Sequence, residues 1–213
     1  MNDLTANSPV PADLLDAGLM LHGHKCPAMP MGLRAGLAAL EALGAERAHD
    51  GQLMALVDLG DEHCATCFAD GVQMATGCTF GKGNIRKLGY GKFGLTLIDK
   101  KNARAVRVTP RAEVMAANKQ TAFFTEYRMQ GVPASAVPAE VVEPLMARVL
   151  ETPTEQLFQI EGPRDQIWQD HPHDFDSFVC DHCGEMTVQS YGRILGNEKV
   201  CIPCQQKALG RQA

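Results

Sequence analysis

Apolar residues along this chain recur with two periods, one typical of helices and one typical of strands. Leu33, Leu37 and Leu40 return every three or four residues, which is the spacing of one helix face. Thr109 followed by Pro110 is typical of a helix start, with a capping hydroxyl and a proline at the first helical position. The pattern predicts helices over 9–20, 29–43, 65–75, 110–128 and 139–150, and strands over 53–59, 93–98, 103–108 and 157–160.

These elements mix helices and strands along one chain, and a DKKN turn separates the strands over 93–98 and 103–108. Residues 161–177 contain two prolines, four aspartates and two histidines with few apolar residues, a composition typical of a linker between domains. We therefore predict a core domain over 1–160, a linker over 161–177 and a small domain over 178–213.

Composition narrows the class of protein. The 213 residues are 45% apolar and 21% charged, which is ordinary for a globular chain and excludes a disordered or collagen-like one. A net charge of −5 disfavours nucleic acid as a partner. No apolar run reaches the length of a membrane span, and the opening MNDLTANSPV lacks the features of a signal peptide. We expect a cytoplasmic protein with no membrane partner, whose cysteines stay reduced.

Four cysteines near the C-terminal end form two CxxC pairs: Cys180, Cys183, Cys201 and Cys204. The 17 residues between the pairs fall within the spacing of zinc ribbons, and four thiolates suit tetrahedral zinc. So short a segment needs a metal to fold, because its apolar core is too small. Its net charge from residue 178 onward is only +1, which again disfavours nucleic-acid binding.

A second group of candidate ligands lies in the predicted core domain. The stretch His22-Gly-His24-Lys-Cys26-Pro27 places two imidazoles and a thiol within five residues. Cys64 and Cys67 form another CxxC pair, with Asp70 one helical turn beyond Cys67. Imidazole together with thiolate suits zinc, iron or copper. The sequence therefore predicts a second metal site.

The glycine-rich stretch TGCTFGKGN over 76–84 has too few residues between its first glycine and Gly81 for a nucleotide-binding P-loop. Its backbone amides and Lys82 can still hold an anionic group. From Lys82 to Arg128 the chain has 11 basic and three acidic residues. This basic stretch fits a cleft for an anionic cofactor, a docking surface or a solvated face, and the sequence alone leaves these open.

Taken in order, these motifs resemble those of the FmdE family, named for a component of formylmethanofuran dehydrogenase. The motifs are HGHKCP, the helix start CFADGVQ at 67–73, TGCTFGKGN, Gly91-Lys92 and the C-terminal CxxC pairs. The resemblance covers about residues 14–130 and resumes at 178–204. It implies an α+β core in which antiparallel strands pack with helices, an intertwined homodimer, a metal pocket in the core and an appended structural zinc ribbon. It also implies association with molybdenum or tungsten dehydrogenases that interconvert carbon dioxide and a formyl carrier.

The family's pocket, transferred by matching motifs, implies specific roles for residues of this chain. His24, Cys26 and Cys67 are the preferred metal ligands, and Asp70 is either a further ligand or the partner that orients a histidine. Cys64 departs from the family pattern and supplies either an extra ligand or one half of a redox dithiol. The predicted cofactor-binding residues lie in the glycine-rich stretch: Gly77, Cys78, Thr79, Gly81, Lys82 and Gly83.

Three functions remain open at this point. The first is an accessory or metal-handling partner of a molybdenum or tungsten formyl- or formate-type dehydrogenase, whose basic stretch docks the partner or its pterin phosphate. The second is an independent enzyme with His22 or His24 as acid or base, Cys26 or Cys67 as nucleophile and Lys82 as anion anchor. The third is a metal or haem sensor, with Cys26 as an exposed thiolate for haem iron. Zinc is expected in the ribbon, and zinc or iron in the core.

Overall fold

The computed structural model describes residues 8–62, 64–170 and 172–211. The first seven residues, His63 of the second cysteine motif and His171 of the predicted linker lie outside the described residues. The chain divides into two compact units, with the boundary between Trp168 and Gln169. No helix in the described ranges combines the length and apolar character that crossing a bilayer requires.

The larger unit contains a mixed set of helices and strands that confirms the predicted α+β class. Its α-helices are α1 (Ala12–His22), α2 (Ala28–Leu43), α3 (Phe68–Thr76), α4 (Ala112–Lys119), α5 (Ala139–Glu151) and α6 (Thr154–Leu157). Its strands are β1 (Leu53–Val57), β2 (Ile85–Lys87), β3 (Leu95–Asp99), β4 (Arg104–Pro110) and β5 (Phe158–Asp165).

Within the described residues of this unit, five strands form one sheet in the order β2-β1-β3-β4-β5. Pairing is antiparallel from β1 through β5, and β2 alone runs parallel to β1. The central strands are buried because their apolar side chains pack against α2 and α3, with Leu95, Leu97 and Val106 fully enclosed. Strand β5 forms one edge of the sheet and is exposed along its length except at Phe158.

The predicted helix over 110–128 is wrong in its bounds and in its continuity. Strand β4 continues through Thr109 and Pro110, which pair with Gln159 and Phe158 of β5, so pairing across the sheet outweighs the local capping signal. Helix α4 then ends at Lys119 and is followed by a π-helical turn over Phe123–Tyr127 and a 3-10 turn over Arg128–Gln130. Strand β5, which was predicted over 157–160, is longer than predicted and extends to Asp165.

Helices α2 and α3 lie in backbone contact, which glycines make possible. A methyl group added at Gly32 would lie 1.9 Å from the Phe68 carbonyl oxygen, and one at Gly71 would lie 2.0 Å from that of Met29. Helix α2 is buried over most of its surface, including Arg34, which donates hydrogen bonds to the Val149, Leu150 and Thr152 carbonyls. The two helices therefore form one rigid element beneath the sheet.

The smaller unit contains two hairpins and a helix, which fits the predicted zinc-ribbon-like domain. Its elements are β6 (Ser177–Val179), β7 (Met186–Val188), β8 (Gly192–Leu195), β9 (Glu198–Cys201) and α7 (Ile202–Ala208). Strand β6 pairs with β7 and β8 with β9, both antiparallel. The described core of this unit is small and is centred on Cys180, Val200 and Cys201.

Candidate metal centre

Four side chains from three short segments of the larger unit converge on one point. His22 ends α1, His24 and Cys26 lie in the turn that follows it, and Cys67 directly precedes α3. Gly23 adopts a left-handed conformation with φ of 85°, which a side chain would strain and which reverses the chain after α1. One donor atom from each of the four residues lies within 4.8 Å of the others. We call this group the core cluster.

Asp70 orients one member of the core cluster. The Nδ1 atom of His22 lies 2.8 Å from Oδ2 of Asp70, and its Nε2 atom lies 3.4 Å from the Cys26 sulfur. Because an ionised carboxylate only accepts hydrogen bonds, Nδ1 of His22 donates to Asp70, and Nε2 is the ring nitrogen that faces the cluster. Gln73 in turn donates to Asp70 over 3.4 Å. Asp70 thus contacts His22 and lies outside the group of four convergent donors, and both of its predicted roles stay predictions.

His24 has a buried donor atom without a protein partner. Its Nε2 atom is enclosed and makes no hydrogen bond to any described residue. Burial, followed by the nearby His22 and Arg128, lowers the pKa of His24, which favours the neutral form that binds metals. An unpaired buried polar atom costs free energy. A metal ion bound to this nitrogen would remove that cost.

The two thiols of the core cluster differ in acidity. A hydrogen bond from Cys26 lowers the pKa of Cys67 to about 6, and the same contact raises the pKa of Cys26. Cys26 is only 2% exposed, so it is not the exposed thiolate expected for haem ligation. Two imidazoles with two cysteine sulfurs are a ligand set that suits zinc or iron. The residues present therefore fit a transition-metal ion.

Cys64 lies outside the core cluster but close to it. Its side chain is exposed and lines the same cavity as Cys26 and Cys67, whereas the group of four convergent donors does not include it. Ala65, next in the chain, adopts a left-handed φ of 68°, which is uncommon for a residue with a side chain. The predicted choice between an extra ligand and a redox dithiol stays open at this position.

The glycine-rich stretch does not reach the core cluster. Lys82 donates to the carbonyls of Ala48 and His49 at 3.1 and 3.2 Å. The Thr79 amide donates to Asn84, and Cys78 is fully buried in the main hydrophobic core. The stretch also contributes none of its three glycines, Gly77, Gly81 and Gly83, to the wall of the cavity that adjoins the core cluster. The anion-binding role of the glycine-rich stretch, including that of Lys82, stays a prediction.

Several cations of the basic stretch are held in local contacts. Arg107 forms an ion pair with the buried Asp58, and Lys87 pairs with Asp61. The guanidinium of Arg86 lies over the ring of Trp168 at 5.0 Å. These cations are therefore used within the fold, and two other cations of the stretch, Lys119 and Arg128, line the cavity described next.

A cavity of about 270 Å³ adjoins the core cluster. Cys26 and Cys67 lie in its wall on the side of the cluster, and apolar side chains form most of the rest. The rings of Phe123 and Phe124 pack edge to face with centroids 5.3 Å apart. We call this space the aromatic cavity. The sequence pattern did not predict it, and its one visible signal was the adjacent Phe123-Phe124 pair, which breaks the helical spacing of apolar residues.

The predicted ribbon cysteines form a second cluster in the smaller unit, which we call the ribbon cluster. Cys180 and Cys183 occupy the turn between β6 and β7, Cys201 ends β9, and Cys204 lies in the first turn of α7. One sulfur atom from each lies within 4.8 Å of the others. Hydrogen bonds from backbone amides lower the pKa of Cys180 to about 6, and the amide of Cys183 has the largest effect. This thiolate set has the composition of a structural zinc site.

Comparisons with known proteins bear on the family and the fold of this chain. The family model described as "FmdE, Molybdenum formylmethanofuran dehydrogenase operon" matches residues 21–159. A curated relative, a "Probable S-adenosyl-L-methionine-binding protein" of Archaeoglobus fulgidus, is 31% identical over 198 residues, which are 86% of this chain. The chain spans about half the length of that relative, 50%.

A solved structure supports the fold independently. It is a tungsten formylmethanofuran dehydrogenase FmdE-like protein from Syntrophus aciditrophicus, with a TM-score of 0.58 and 20% sequence identity. The match covers 92% of each chain, and at this identity it concerns the fold alone. Because the family model matches more than half of the chain, from the end of α1 to the start of β5, this chain belongs to the FmdE family.

Proposed function

We propose that the core cluster binds one transition-metal ion, zinc or iron, and that the ribbon cluster binds a structural zinc ion. The observation that carries the proposal is the convergence of four donor atoms on one point. One of the four residues, His24, has a buried Nε2 atom with no protein partner among the described residues. In such a site a bound metal supplies Lewis acidity. His22 is oriented by Asp70, and Cys67 is the more acidic thiol.

We further propose that the chain is an accessory or metal-handling partner of a molybdenum or tungsten formyl- or formate-type dehydrogenase. The operon named in the family description supports this role. The proposal includes the homodimer, the cytoplasmic location and the pterin-cofactor partner expected from the sequence. A second candidate is an independent metal-dependent enzyme. The aromatic cavity favours it, because the cavity gives a small molecule access to the cluster.

We do not propose that this chain binds S-adenosyl-L-methionine, the ligand named for the archaeal relative. The described residues that line the aromatic cavity include no aspartate or glutamate to pair with a sulfonium ion. A volume of about 270 Å³ is also small for a whole nucleoside conjugate.

The metal proposal predicts the result of a Cys67→Ser substitution. We expect the wild-type chain to hold two metal ions and Cys67→Ser to hold one, because a serine hydroxyl does not replace a thiolate ligand. Metal per chain is measured by mass spectrometry on freshly purified full-length protein. Cys78→Ala is the matched control, since Cys78 is a buried cysteine outside both clusters. A wild-type chain with one metal that Cys67→Ser leaves unchanged would rule out the core site.

The accessory role has its own test in the host cell. Removing this protein should lower the activity of the host's molybdenum or tungsten dehydrogenase, and the wild-type chain, but not Cys67→Ser, should restore it. Unchanged dehydrogenase activity with both metals bound would favour the independent enzyme instead.

Asp70→Asn tests the orientation of His22. We expect about 10- to 100-fold weaker metal binding at the core cluster with the fold retained, because an amide fixes the imidazole less firmly than a carboxylate. Zinc affinity is measured by competition with a chromogenic chelator. Asp61→Asn is the control, because Asp61 is exposed and pairs with Lys87. Equal affinity in both variants would show that Asp70 does not act through His22.

A further inference from the structure

The aromatic cavity has a distinctive balance of charge. Two cationic side chains, Lys119 and Arg128, contribute to its wall, and no carboxylate among the described residues does. Arg128 is held in place by a hydrogen bond from its guanidinium to the Val132 carbonyl at 2.6 Å. A guanidinium has five N–H donors, so this bond leaves others for a ligand. The cavity is therefore apolar in its body and positive at part of its wall.

The backbone that carries two of its aromatic rings is unusual. Residues Phe123–Tyr127 form a π-helical turn, a rare conformation that is found disproportionately at functional sites. Phe123 is buried, and the ring of Phe124 packs edge to face with it. Both residues of this turn line the aromatic cavity together with Cys26 and Cys67.

We propose that the aromatic cavity binds a small organic carboxylate with an apolar body. The carboxylate pairs with Arg128, and Lys119 adds attraction from the exposed rim. The apolar body packs between the phenylalanine rings and Met31. A volume of about 270 Å³ equals about nine water volumes, which suits an acid of roughly ten non-hydrogen atoms.

This inference deepens the proposed function, because it names the class of molecule that would lie beside the proposed metal ligands Cys26 and Cys67. It does not require the metal to be present. If the core cluster binds no metal, the carboxylate site lies next to two free thiols. If the cavity binds no carboxylate, the metal cluster is unchanged.

Octanoate and octanamide form a matched pair of probes, because they share the same chain and number of non-hydrogen atoms and differ in charge. Isothermal titration calorimetry is run on the full chain, both as purified and as Cys67→Ser, below the aggregation limit of octanoate. We expect one octanoate per chain, and at least tenfold weaker binding of octanamide.

Substitutions in the wall of the aromatic cavity distinguish the contribution of charge to binding from that of apolar packing. Arg128→Gln should weaken octanoate binding about tenfold or more and leave octanamide binding unchanged, whereas Phe124→Ala should weaken both. Arg104→Gln is the control, because Arg104 is exposed on β4 and does not line the cavity. Lys119→Gln is a second charge variant at an exposed position, in case Arg128→Gln fails to fold by circular dichroism.

The outcomes of these titrations distinguish the two proposals. No octanoate binding, equal binding of both probes, or octanoate affinity unchanged in both Arg128→Gln and Lys119→Gln would overturn the carboxylate site. A cavity filled by a second copy of the chain would appear as absent octanoate binding and would also overturn it. Octanoate binding that persists in a wild-type chain without core metal would overturn the metal proposal alone.

Discussion

A Gly71→Ala variant is expected to lose core metal and about 3 kcal/mol or more of its free energy of unfolding. The added methyl group would lie 2.0 Å from the Met29 carbonyl oxygen and 2.4 Å from the Leu33 nitrogen. Both obstacles are backbone atoms of α2, so no side-chain rotation relieves the overlap. Helices α2 and α3 must then move apart.

The core cluster depends on that helix contact. Cys26 lies just before α2, whereas Cys67 and Asp70 lie at the start of α3. Separating the two helices therefore pulls the thiols apart and removes the carboxylate from His22. Stability is measured by urea unfolding, and core metal by mass spectrometry with the ribbon metal as internal reference.

Gly81→Ala is the matched control for this prediction. A methyl group at Gly81 meets no atom within 4 Å, and its backbone is not in the left-handed region. We expect this variant to unfold within about 0.5 kcal/mol of wild type and to keep both metals. A Gly71→Ala protein with wild-type stability and two metals would contradict the rigid contact described between α2 and α3.

Cys201→Ser is expected to unfold the smaller unit while the larger unit stays folded. The described core of the smaller unit is formed by a few residues around Cys180, Val200 and Cys201, too little apolar surface to offset the entropy of ordering the chain. Zinc bound to four thiolates supplies roughly 10 kcal/mol or more in small domains. Removing one ligand therefore removes most of the folding free energy.

Limited proteolysis with mass spectrometry measures this effect, because it reports each unit separately. In Cys201→Ser, cleavage should appear throughout 177–208 while α2 and the sheet stay protected. His182→Ala is the control: the His182 ring contacts Glu198 at 2.8 Å on the surface, a pair worth under about 1 kcal/mol. Protection of 177–208 in Cys201→Ser would mean that the unit folds without its metal.

The two groups of convergent cysteine and histidine side chains are the part of this structure that sequence reasoning predicts best. Ligand spacing in HGHKCP and in the CxxC pairs is local, and short turns convert it directly into convergent donors. His24, Cys26 and Cys67 do meet, although the last two lie 41 positions apart along the chain. That meeting was implied by the family resemblance and not by spacing.

Elements that depend on distant pairing were predicted less well. Strand β2 has three residues and pairs in parallel with β1, so it offers no hydrophobic period to detect. Pro110 gave a helix-start signal that pairing with Phe158 outweighed. The aromatic cavity was not predicted, because its wall combines residues from α2, α3 and the π-helical turn. Such a space exists only once those elements pack.

The exposed edge of the sheet has a consequence for how this protein behaves when concentrated. Among the described strands β5 has a neighbour on one side only, yet it carries Glu161, Arg164 and Asp165, and Pro163 lacks an amide hydrogen. Charge and a missing donor make a strand a poor template for strands of other molecules. The β5 edge of the larger unit is therefore protected against fibril growth by the composition of the strand itself.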